Sequence, residues 1–456
     1  MREVTVTESR RQHEVTSTAP LRVIDREQML SLGVTDMADA LHRIPGVTLR
    51  DYGGAGGLKT VSVRGFGAKH TGVSYDGIML SDCQSGEIDL SRYSLDNVDQ
   101  LSLVIGDNDD IFIPARNAST SAVLNVQTIS TTMQKDQVTA QVKGGSFGYI
   151  SPFLRYEQSI GDKLAVSVVG EYTYAENDYP FQLKNGINTT TEYRTNSRMN
   201  SGHGELNVVW NLGKSNRLSG KVYYYDNDRQ LPGQVHYYTD LNRERLHDQN
   251  FFAQLLYQMH NQKGWSMKWH AKFNWNASIY EDPLYPNAVN DASYWQRETY
   301  TSLAVLYTPT EHWAFDFSGD YAFNNLNSNA SRTIDTRPYR HTFLNTLTTK
   351  YRNNRLTALV RLLYSLYVND AELGESANNM NRLSPSVSLS YKLLDDQDIY
   401  IRASYKNIFR APTFNESYYF HYGSTNLLPE STDQYNIGVT WSWKPDVASV
   451  QLTADG

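Results

Sequence analysis

Residues 313–323 read WAFDFSGDYAF, and this stretch alternates between two kinds of side chain. The aromatic residues Trp313, Phe315, Phe317, Tyr321 and Phe323 fall on one face of an extended chain, and the residues between them are small or polar. Successive side chains of a β-strand point to opposite sides, so one face is aromatic and the other is polar. A strand of a membrane β-barrel needs this division, with lipid outside and a wet lumen inside.

The same alternation recurs from about residue 136 to the end of the chain, for example in residues 163–174, 265–279 and 383–393. We count about fourteen strands from Gln137 onward, and many run to a dozen residues or more, whereas strands of soluble proteins have about five or six. The connections between them alternate in length. Short ones lie near residues 161, 213, 262, 309, 353 and 395, and long ones span 176–200, 228–247, 281–293, 325–340, 369–381 and 410–430. This segregation predicts a transmembrane barrel in preference to a soluble one.

The composition fits that class and excludes others. The chain has 456 residues and a formal net charge of -7, which gives no indication of a nucleic-acid surface. We find no run of about 18 apolar residues, so a transmembrane helix is excluded. Tyrosine is abundant at 32 residues, as the aromatic girdles of a barrel would require. Cys83 is the only cysteine, so an internal disulfide framework is excluded.

Residues 13–131 have a different pattern, which predicts a separate mixed α/β domain. Met37, Leu41 and Ile44 recur at helical spacing within a predicted helix over 35–44, which Pro45-Gly46 ends. Short strands and glycine turns follow, as at Asp76-Gly77. A barrel this wide is either an open channel or plugged. We therefore predict that residues 13–131 form a plug inside a barrel of residues 132–456.

Several ordered motifs of this domain resemble one known family. The segments LHRIPGV (41–47), SVRGFG (62–67), YDG (75–77) and GEIDLS (86–91) resemble the plug of TonB-dependent outer-membrane receptors. FRAPTFNE (409–416) and NLLPE (426–430) are similar to motifs of the barrel in the same family. The resemblance implies a 22-stranded barrel in the outer membrane of a Gram-negative bacterium. Roughly eight strands would then be missing beyond Gly456, and the barrel would be incomplete.

One segment departs from the family pattern. Residues 106–110 read GDNDD where the family usually has Gly-Pro, and residues 115–122 contain no glycine. This departure leaves the local turn geometry open. The glycine-rich signature of the polysaccharide-importing branch is absent from this place, which argues against a glycan importer.

The resemblance implies TonB-dependent active import of a large, scarce nutrient. The plug length and the pairing of the two barrel motifs look most like the vitamin B12 (cobalamin) receptor branch, and a ferric-siderophore receptor is the alternative. A passive porin or structural barrel and a soluble β-rich hydrolase are alternatives of other classes. Residues 144–148 match G-x-S-x-G, but a second alternating strand follows where a nucleophile elbow needs a helix. We therefore interpret them as a hairpin turn, and we do not expect an enzyme.

Within residues 1–12, the segment Glu3, Val4, Thr5, Val6 and Thr7 resembles a Ton box, which would add a strand to TonB. An ordinary leading strand of the plug is the alternative interpretation. Arg64, in the glycine turn Arg64-Gly65, is predicted to form an ion pair with a carboxylate of the barrel wall, because charges in a lumen tend to be paired. A solvated surface arginine is the alternative.

The remaining predictions concern ligands. We expect plug apices and outer loops to bind the nutrient through Tyr52, Lys69, His70, Ser81, Asp82, Cys83, Gln84, Ser85, Tyr237, Tyr238, Tyr418, Tyr419 and His421. Tyrosine gives amphipathic contact area at low entropy cost, although any one of these rings could belong to an interface girdle instead. Asp226, Asp228 and Asp240 could bind calcium, with solvated loop acids as the alternative. We expect no other cofactor, and a surface lipoprotein is a possible further partner.

Overall fold

The computed structural model describes residues 14–52, 56–107, 109–131, 136–235, 241–260, 263–284, 291–329, 335–419, 421–443 and 450–456. Within these ranges, no helix is long and apolar enough to cross a membrane. The helices are α1 (Arg26–Ser31), α2 (Met37–His42) and α3 (Phe414–Tyr418).

The N-terminal domain is built on a five-stranded mixed sheet. The strands of the whole domain are β1 (Leu21–Asp25), β2 (Val47–Asp51), β3 (Lys59–Val63), β4 (Thr71–Tyr75), β5 (Ile78–Met79), β6 (Val98–Ile105) and β7 (Ala122–Thr128). The sheet order is β1-β6-β7-β4-β5, with β4 parallel to β7, while β2 and β3 form a separate hairpin. This arrangement agrees with the mixed α/β domain predicted from the sequence.

Helix α2 lies inside the predicted range of 35–44 and is shorter than predicted. The Asp36 carboxylate caps it by accepting a hydrogen bond from the Asp39 N–H at 2.9 Å. Gly46, with φ of 82°, takes the chain out of the turn that follows. Leu41 is fully buried against the sheet, so the helical face read from the sequence is the face that packs.

The rest of the chain forms one fifteen-stranded antiparallel sheet, one strand more than the roughly fourteen predicted. Its strands are β8 (Gln137–Gly144), β9 (Ile150–Ile160), β10 (Leu164–Ala175), β13 (Met199–Asn211), β14 (Asn216–Gln230), β15 (Arg245–His260), β16 (Trp265–Glu281), β17 (Asp291–Tyr307), β18 (Trp313–Ser328), β19 (Pro338–Arg352), β20 (Leu356–Ala371), β21 (Met380–Lys392), β22 (Asp398–Arg410), β23 (Glu430–Trp443) and β24 (Val450–Asp455). Neighbours along the chain pair with each other, except that β10 pairs directly with β13.

The exception is a hairpin that the sequence did not predict. Strands β11 (Pro180–Asn185) and β12 (Asn188–Tyr193) pair only with each other, within the long connection from β10 to β13. The other predicted connections are confirmed: short turns such as 161–163 and 353–355 lie at one rim, and long loops such as 411–429 lie at the other. Residues 145–149 form the predicted hairpin turn between β8 and β9, with Phe147 at φ 60°.

The two faces of the large sheet divide as the sequence predicts. On β18, Trp313, Phe315 and Phe317 are exposed on the outer face, while Asp316, Ser318 and Asp320 are buried on the inner face. Aromatic pairs gather at the rim of short turns. The ring centroids of Trp265 and Tyr307 are 4.3 Å apart, and those of Trp313 and Tyr351 are 4.9 Å apart. Such pairs are the kind of contact that the predicted aromatic girdle would contain, and the rim of long loops has them too, as between Phe323 and Tyr339.

The N-terminal domain lies inside the curve of the large sheet. Its core residues Leu101 and Leu124 share one apolar cluster with Tyr223 and Phe252 of the barrel wall. Hydrogen bonds from the wall also reach the domain from many strands, from Arg155 on β9 to Lys406 on β22. The barrel-like sheet therefore curves around the domain and binds it on its inner face, as predicted for a plug, and we call the domain the plug from here on.

Candidate ligand site

A long outer loop, residues 411–429, folds back onto the plug apex. Its helix α3 begins after Thr413, whose hydroxyl accepts from the Glu416 N–H while the Glu416 carboxylate accepts from the Thr413 N–H. Two more backbone donors at the start of the helix are bound by the plug. The Phe414 N–H donates to the Cys83 carbonyl at 3.0 Å, and the Asn415 N–H donates to the Gln84 carbonyl at 2.9 Å. The plug thus satisfies donors that a helix start leaves open.

Charged side chains strengthen this junction, which we call the clasp: residues 69–70 and 83–84 of the plug with residues 410–416 and 430 of the wall and loop. The Lys69 ammonium lies 2.8 Å from Glu416, and the His70 imidazole lies 2.7 Å from Glu430. The Arg410 guanidinium binds both of these glutamates. Burial alone would raise the pKa of Glu416, but hydrogen bonds from Arg410 and Lys69 lower it well below the ordinary value. Glu416 is therefore ionised at any physiological pH.

The clasp brings together many of the residues predicted to bind the ligand. Lys69, His70, Cys83 and Gln84 meet the loop that carries Tyr418, Tyr419 and His421. The Tyr419 ring lies 5.6 Å from the His421 ring and 4.8 Å from the Tyr422 ring, so the same loop carries a group of three aromatic rings. In this conformation the four plug residues already have partners in the loop or at Glu430, and the Tyr418 hydroxyl accepts from the Ala377 N–H at 2.7 Å.

Other residues predicted to bind the ligand either make contacts within the plug or with the wall, or lie away from the clasp. The Asp82 carboxylate accepts from the Ser85 N–H at 2.8 Å and shapes the apical turn that also contains Ser81. The Cys83 thiol lies 2.9 Å from the Gln296 side-chain oxygen of the wall, and burial raises its pKa well above the ordinary value. Tyr52 is exposed beside a different plug turn. Tyr237 and Tyr238 lie outside the described residues, and their role stays a prediction.

Arg64 occupies an exposed turn with φ of 49°, and its backbone N–H donates to the Gly46 carbonyl. Within the described ranges, no carboxylate lies within ion-pair distance of its guanidinium. The plug–wall ion pair of this kind is made instead by Arg116, which binds Glu298 of β17 through two hydrogen bonds of 3.1 and 3.0 Å. The alternation of β17 places Glu298 on the inner face, and this inward position was the sequence signal for the ion pair with the plug. The Ton-box segment 3–7 lies outside the described residues.

The predicted calcium residues lie on the outer face of β14. Asp228 accepts two hydrogen bonds from Arg245, and Asp226 accepts from His247 and Gln249. Both carboxylates lie on a strand and have positively charged or donor partners, so they are not the solvated loop acids of the alternative. Asp240 lies outside the described residues. Calcium binding stays a prediction, and no cluster of three metal-ligating side chains occurs in the part of the chain that the structure describes.

The acidic segment that departs from the family pattern lies in a ring of wall cations. Asp107 is buried, with its carboxylate 2.9 Å from the Arg361 guanidinium and 3.1 Å from the Lys406 ammonium. Lys350 and Lys268 bind the carbonyl oxygens of Asp109 and Phe112. We call these four wall residues the basic collar. Burial would raise the pKa of Asp107, but Arg361 and Lys406 lower it from 3.8 to about 2.

Comparison with known families accounts for both parts of the chain. Residues 14–112 match the TonB-dependent receptor plug domain, and residues 170–456 match the β-barrel of TonB-dependent receptors. The second match alone spans more than half of the chain.

Solved structures share the fold at low sequence identity. The copper transporter OprC is 14% identical with a TM-score of 0.75, and the match covers 97% of this chain and 71% of that one. The FrpB iron transporter of Neisseria meningitidis is 11% identical with a TM-score of 0.73, over 93% of this chain and 70% of that one. The siderophore receptor PiuA of Acinetobacter baumannii is 14% identical with a TM-score of 0.72, over 97% and 72%.

Proposed function

Because this chain belongs to the TonB-dependent receptor family, whose members are outer-membrane receptors for nutrient import, we propose that it imports a large, scarce nutrient. The observation that carries the proposal is the plug bonded to the inner face of the curved wall. A plug bonded to strands from β9 to β22 obstructs the lumen, which argues against a passive porin. Passage then requires the plug to move, and an energised partner can supply the work.

The energising partner in this proposal is TonB. An extended segment within residues 1–12 would add a strand to TonB, with main-chain hydrogen bonds providing the affinity. Tension on this segment would couple the inner-membrane proton-motive force to movement of the plug. The ligand would be released unchanged into the periplasm, so the proposal includes no covalent chemistry.

Cobalamin is the proposed ligand. The two sequence motifs that resemble the cobalamin branch, residues 409–416 and 426–430, lie in or beside the clasp over the plug apex. Its two permanent cations and two carboxylates are matched, because Lys69 and Arg410 face Glu416 and Glu430. The clasp region therefore offers phenols, carbonyls and aromatic rings without a strong net charge. Such a surface suits a bulky, amide-rich ligand.

A ferric siderophore is the second candidate. The observation that favours it is the likeness in fold to structures described as iron and siderophore receptors. An anionic ferric chelate would be expected to break the pairs of the clasp and bind Lys69 and Arg410 directly, because these are its basic groups.

Equilibrium binding to the purified full-length protein separates the two candidates. We expect cyanocobalamin to bind with a submicromolar dissociation constant, as scarce nutrients require, and ferric siderophores to compete poorly. Tight binding of a ferric siderophore without measurable cyanocobalamin binding would replace the first candidate with the second. A surface lipoprotein partner stays a prediction, which co-purification of the receptor from outer membranes would test.

A further inference from the structure

Two cavities lie between the plug and the same sector of the wall. The upper one, about 630 Å³, lies toward the rim of long loops and is lined by Arg92 and Ser94 of the plug and by Glu171 and His203 of the wall. The lower one, about 240 Å³, is lined by Asp76 of the plug and by wall residues that include Lys221, Ser219 and Gln254. Strands β13 and β14 contribute residues to both cavities.

The two cavities are separated by side chains arranged around one carboxylate. Glu205 on β13 is buried and accepts hydrogen bonds from the Tyr75 hydroxyl at 2.5 Å and the Asn97 amide at 3.0 Å, both from the plug. On the wall it lies 3.0 Å from the His203 ring and 2.8 Å from the Lys221 ammonium. His203 lines the upper cavity and Lys221 lines the lower one, so both cavities border the same cluster.

The plug contributes mainly neutral groups to the Glu205 cluster. Asn97 is an amide, and burial together with the nearby Glu205 carboxylate raises the pKa of Tyr75 well above the ordinary value, so its hydroxyl stays protonated. The one charged plug contact among the described residues is Asp76, 2.8 Å from Lys221, and its side chain is 27% exposed. If the plug withdraws, Glu205 keeps both wall cations and is not left as an unpaired buried charge.

Withdrawal of the plug from the basic collar, in contrast, would leave buried charges of the wall without their partner. Asp107 is the carboxylate partner of both Arg361 and Lys406, and all three side chains are buried. Removing one partner from a buried ion pair costs much more free energy than losing a neutral hydrogen bond, because it leaves an uncompensated buried charge. The plug therefore separates from the wall more easily at Glu205 than at Asp107.

Polar atoms at the edges of the cluster can form new hydrogen bonds when the plug moves away from Glu205. His203 Nδ1 and Glu171 Oε2 are buried and 3.7 Å apart, an ion-pair contact longer than a hydrogen bond, and Gln254 Oε1 is buried with no hydrogen-bond partner among the described residues. The first two belong to residues lining the upper cavity, and Gln254 lines the lower one. A polar ligand that moves from one cavity to the other would meet a loosely paired His203 and Glu171 in the upper cavity and an open acceptor of Gln254 in the lower one.

We propose that the imported nutrient crosses between the plug and the β10–β13–β14 sector of the wall, and that the Glu205 cluster is the gate on this route. The proposal rests on the proposed import function and adds a location to it. The collar side of the plug stays attached while the Glu205 side opens.

The first test measures ion conductance and needs no nutrient. Glu205→Ala removes the carboxylate between the two cavities, and we expect the full-length protein in a planar bilayer to conduct above the level of the parent protein. Asp320→Ala is the matched control, because Asp320 is also a buried wall carboxylate that binds the plug, through the Ala115 and Arg116 N–H groups. Correct folding of both variants is checked by their heat-dependent mobility on gels. Equal conductance of the two variants would overturn the assignment of the gate.

The second test joins plug and wall covalently. Ser94→Cys with Thr173→Cys, both lining the upper cavity, can be linked by a short bifunctional thiol reagent. Thr18→Cys with Ser388→Cys, whose hydroxyls are 3.1 Å apart, links the plug to β21 on the collar side. We expect uptake of radiolabelled cyanocobalamin, or of the ferric siderophore if that ligand binds instead, to be lost only in the protein linked between positions 94 and 173. Loss in both, or in neither, would overturn the route, whereas absence of uptake before linking would count against the import function instead.

Discussion

At the scale of single residues, the face of the wall from which a side chain projects decides whether it is exposed outside or buried against the plug. Phe317 faces outward and is exposed, while its neighbour Asp316 faces inward and is buried. Inward charges such as Glu205, Glu298 and Arg361 then bind the plug. The alternation of the sequence identifies such inward charges, but the partner of each one depends on the packing of the plug.

Asp107 provides a residue-scale test of the basic collar. Asp107→Asn leaves Arg361 and Lys406 without their shared carboxylate, and we expect the free energy of unfolding to fall by about 3 kcal/mol, as for other broken buried pairs. The midpoint of heat unfolding, followed by gel mobility, measures the change. Asp396→Asn, in an exposed short turn, is the control that should leave the midpoint unchanged.

The same carboxylate predicts an acid dependence. The pKa of Asp107 is lowered in the folded protein from 3.8 to about 2, so the folded state holds its proton less tightly than the unfolded state does. Its contribution to stability is present above the unfolded value and is lost as the pH falls from about 4 to about 2. Unfolding midpoints measured from pH 6 to pH 2 should therefore converge for the parent protein and Asp107→Asn at the acid end. A constant difference across this range would contradict the assignment.

At the scale of elements, the long strands and their segregated connections were predictable, because an inward and an outward face impose a period of two. The hairpin β11–β12 was missed because its short strands are largely exposed, so no buried face imposes a pattern. The clasp was also not predictable as a junction. Lys69 and Glu416 are 347 positions apart in the sequence, and only the fold shows that they bind each other.

The clasp makes an element-scale prediction about loop 411–429. Glu416→Ala removes partners of Lys69 and Arg410 and the half of the capping box that binds the Thr413 N–H, so the start of α3 becomes less stable. We expect faster cleavage of this loop by an added protease. Glu375→Ala changes an exposed carboxylate in another long loop and should leave the cleavage rate as in the parent protein. Equal cleavage rates in both variants would mean that the backbone bonds to Cys83 and Gln84 hold the loop without help.

At the scale of the whole molecule, a wall with one apolar face encloses a plug with its own core. The plug shares an apolar cluster with Tyr223 and Phe252, and it is bonded to the wall at both the Glu205 cluster and the basic collar. Under the proposed function, such a protein binds its ligand without energy and transports it only when the plug is moved. Binding and transport are therefore separable, and this separation is the central claim.

Deleting residues 3–7 tests that claim most directly. In cells that produce the full-length receptor, we compare binding and uptake of radiolabelled cyanocobalamin, or of the ferric siderophore if that ligand binds instead, before and after the deletion. The account predicts unchanged binding at the cell surface and uptake reduced to the level of a strain that lacks TonB. Uptake that continues at the parent rate without these residues would contradict it.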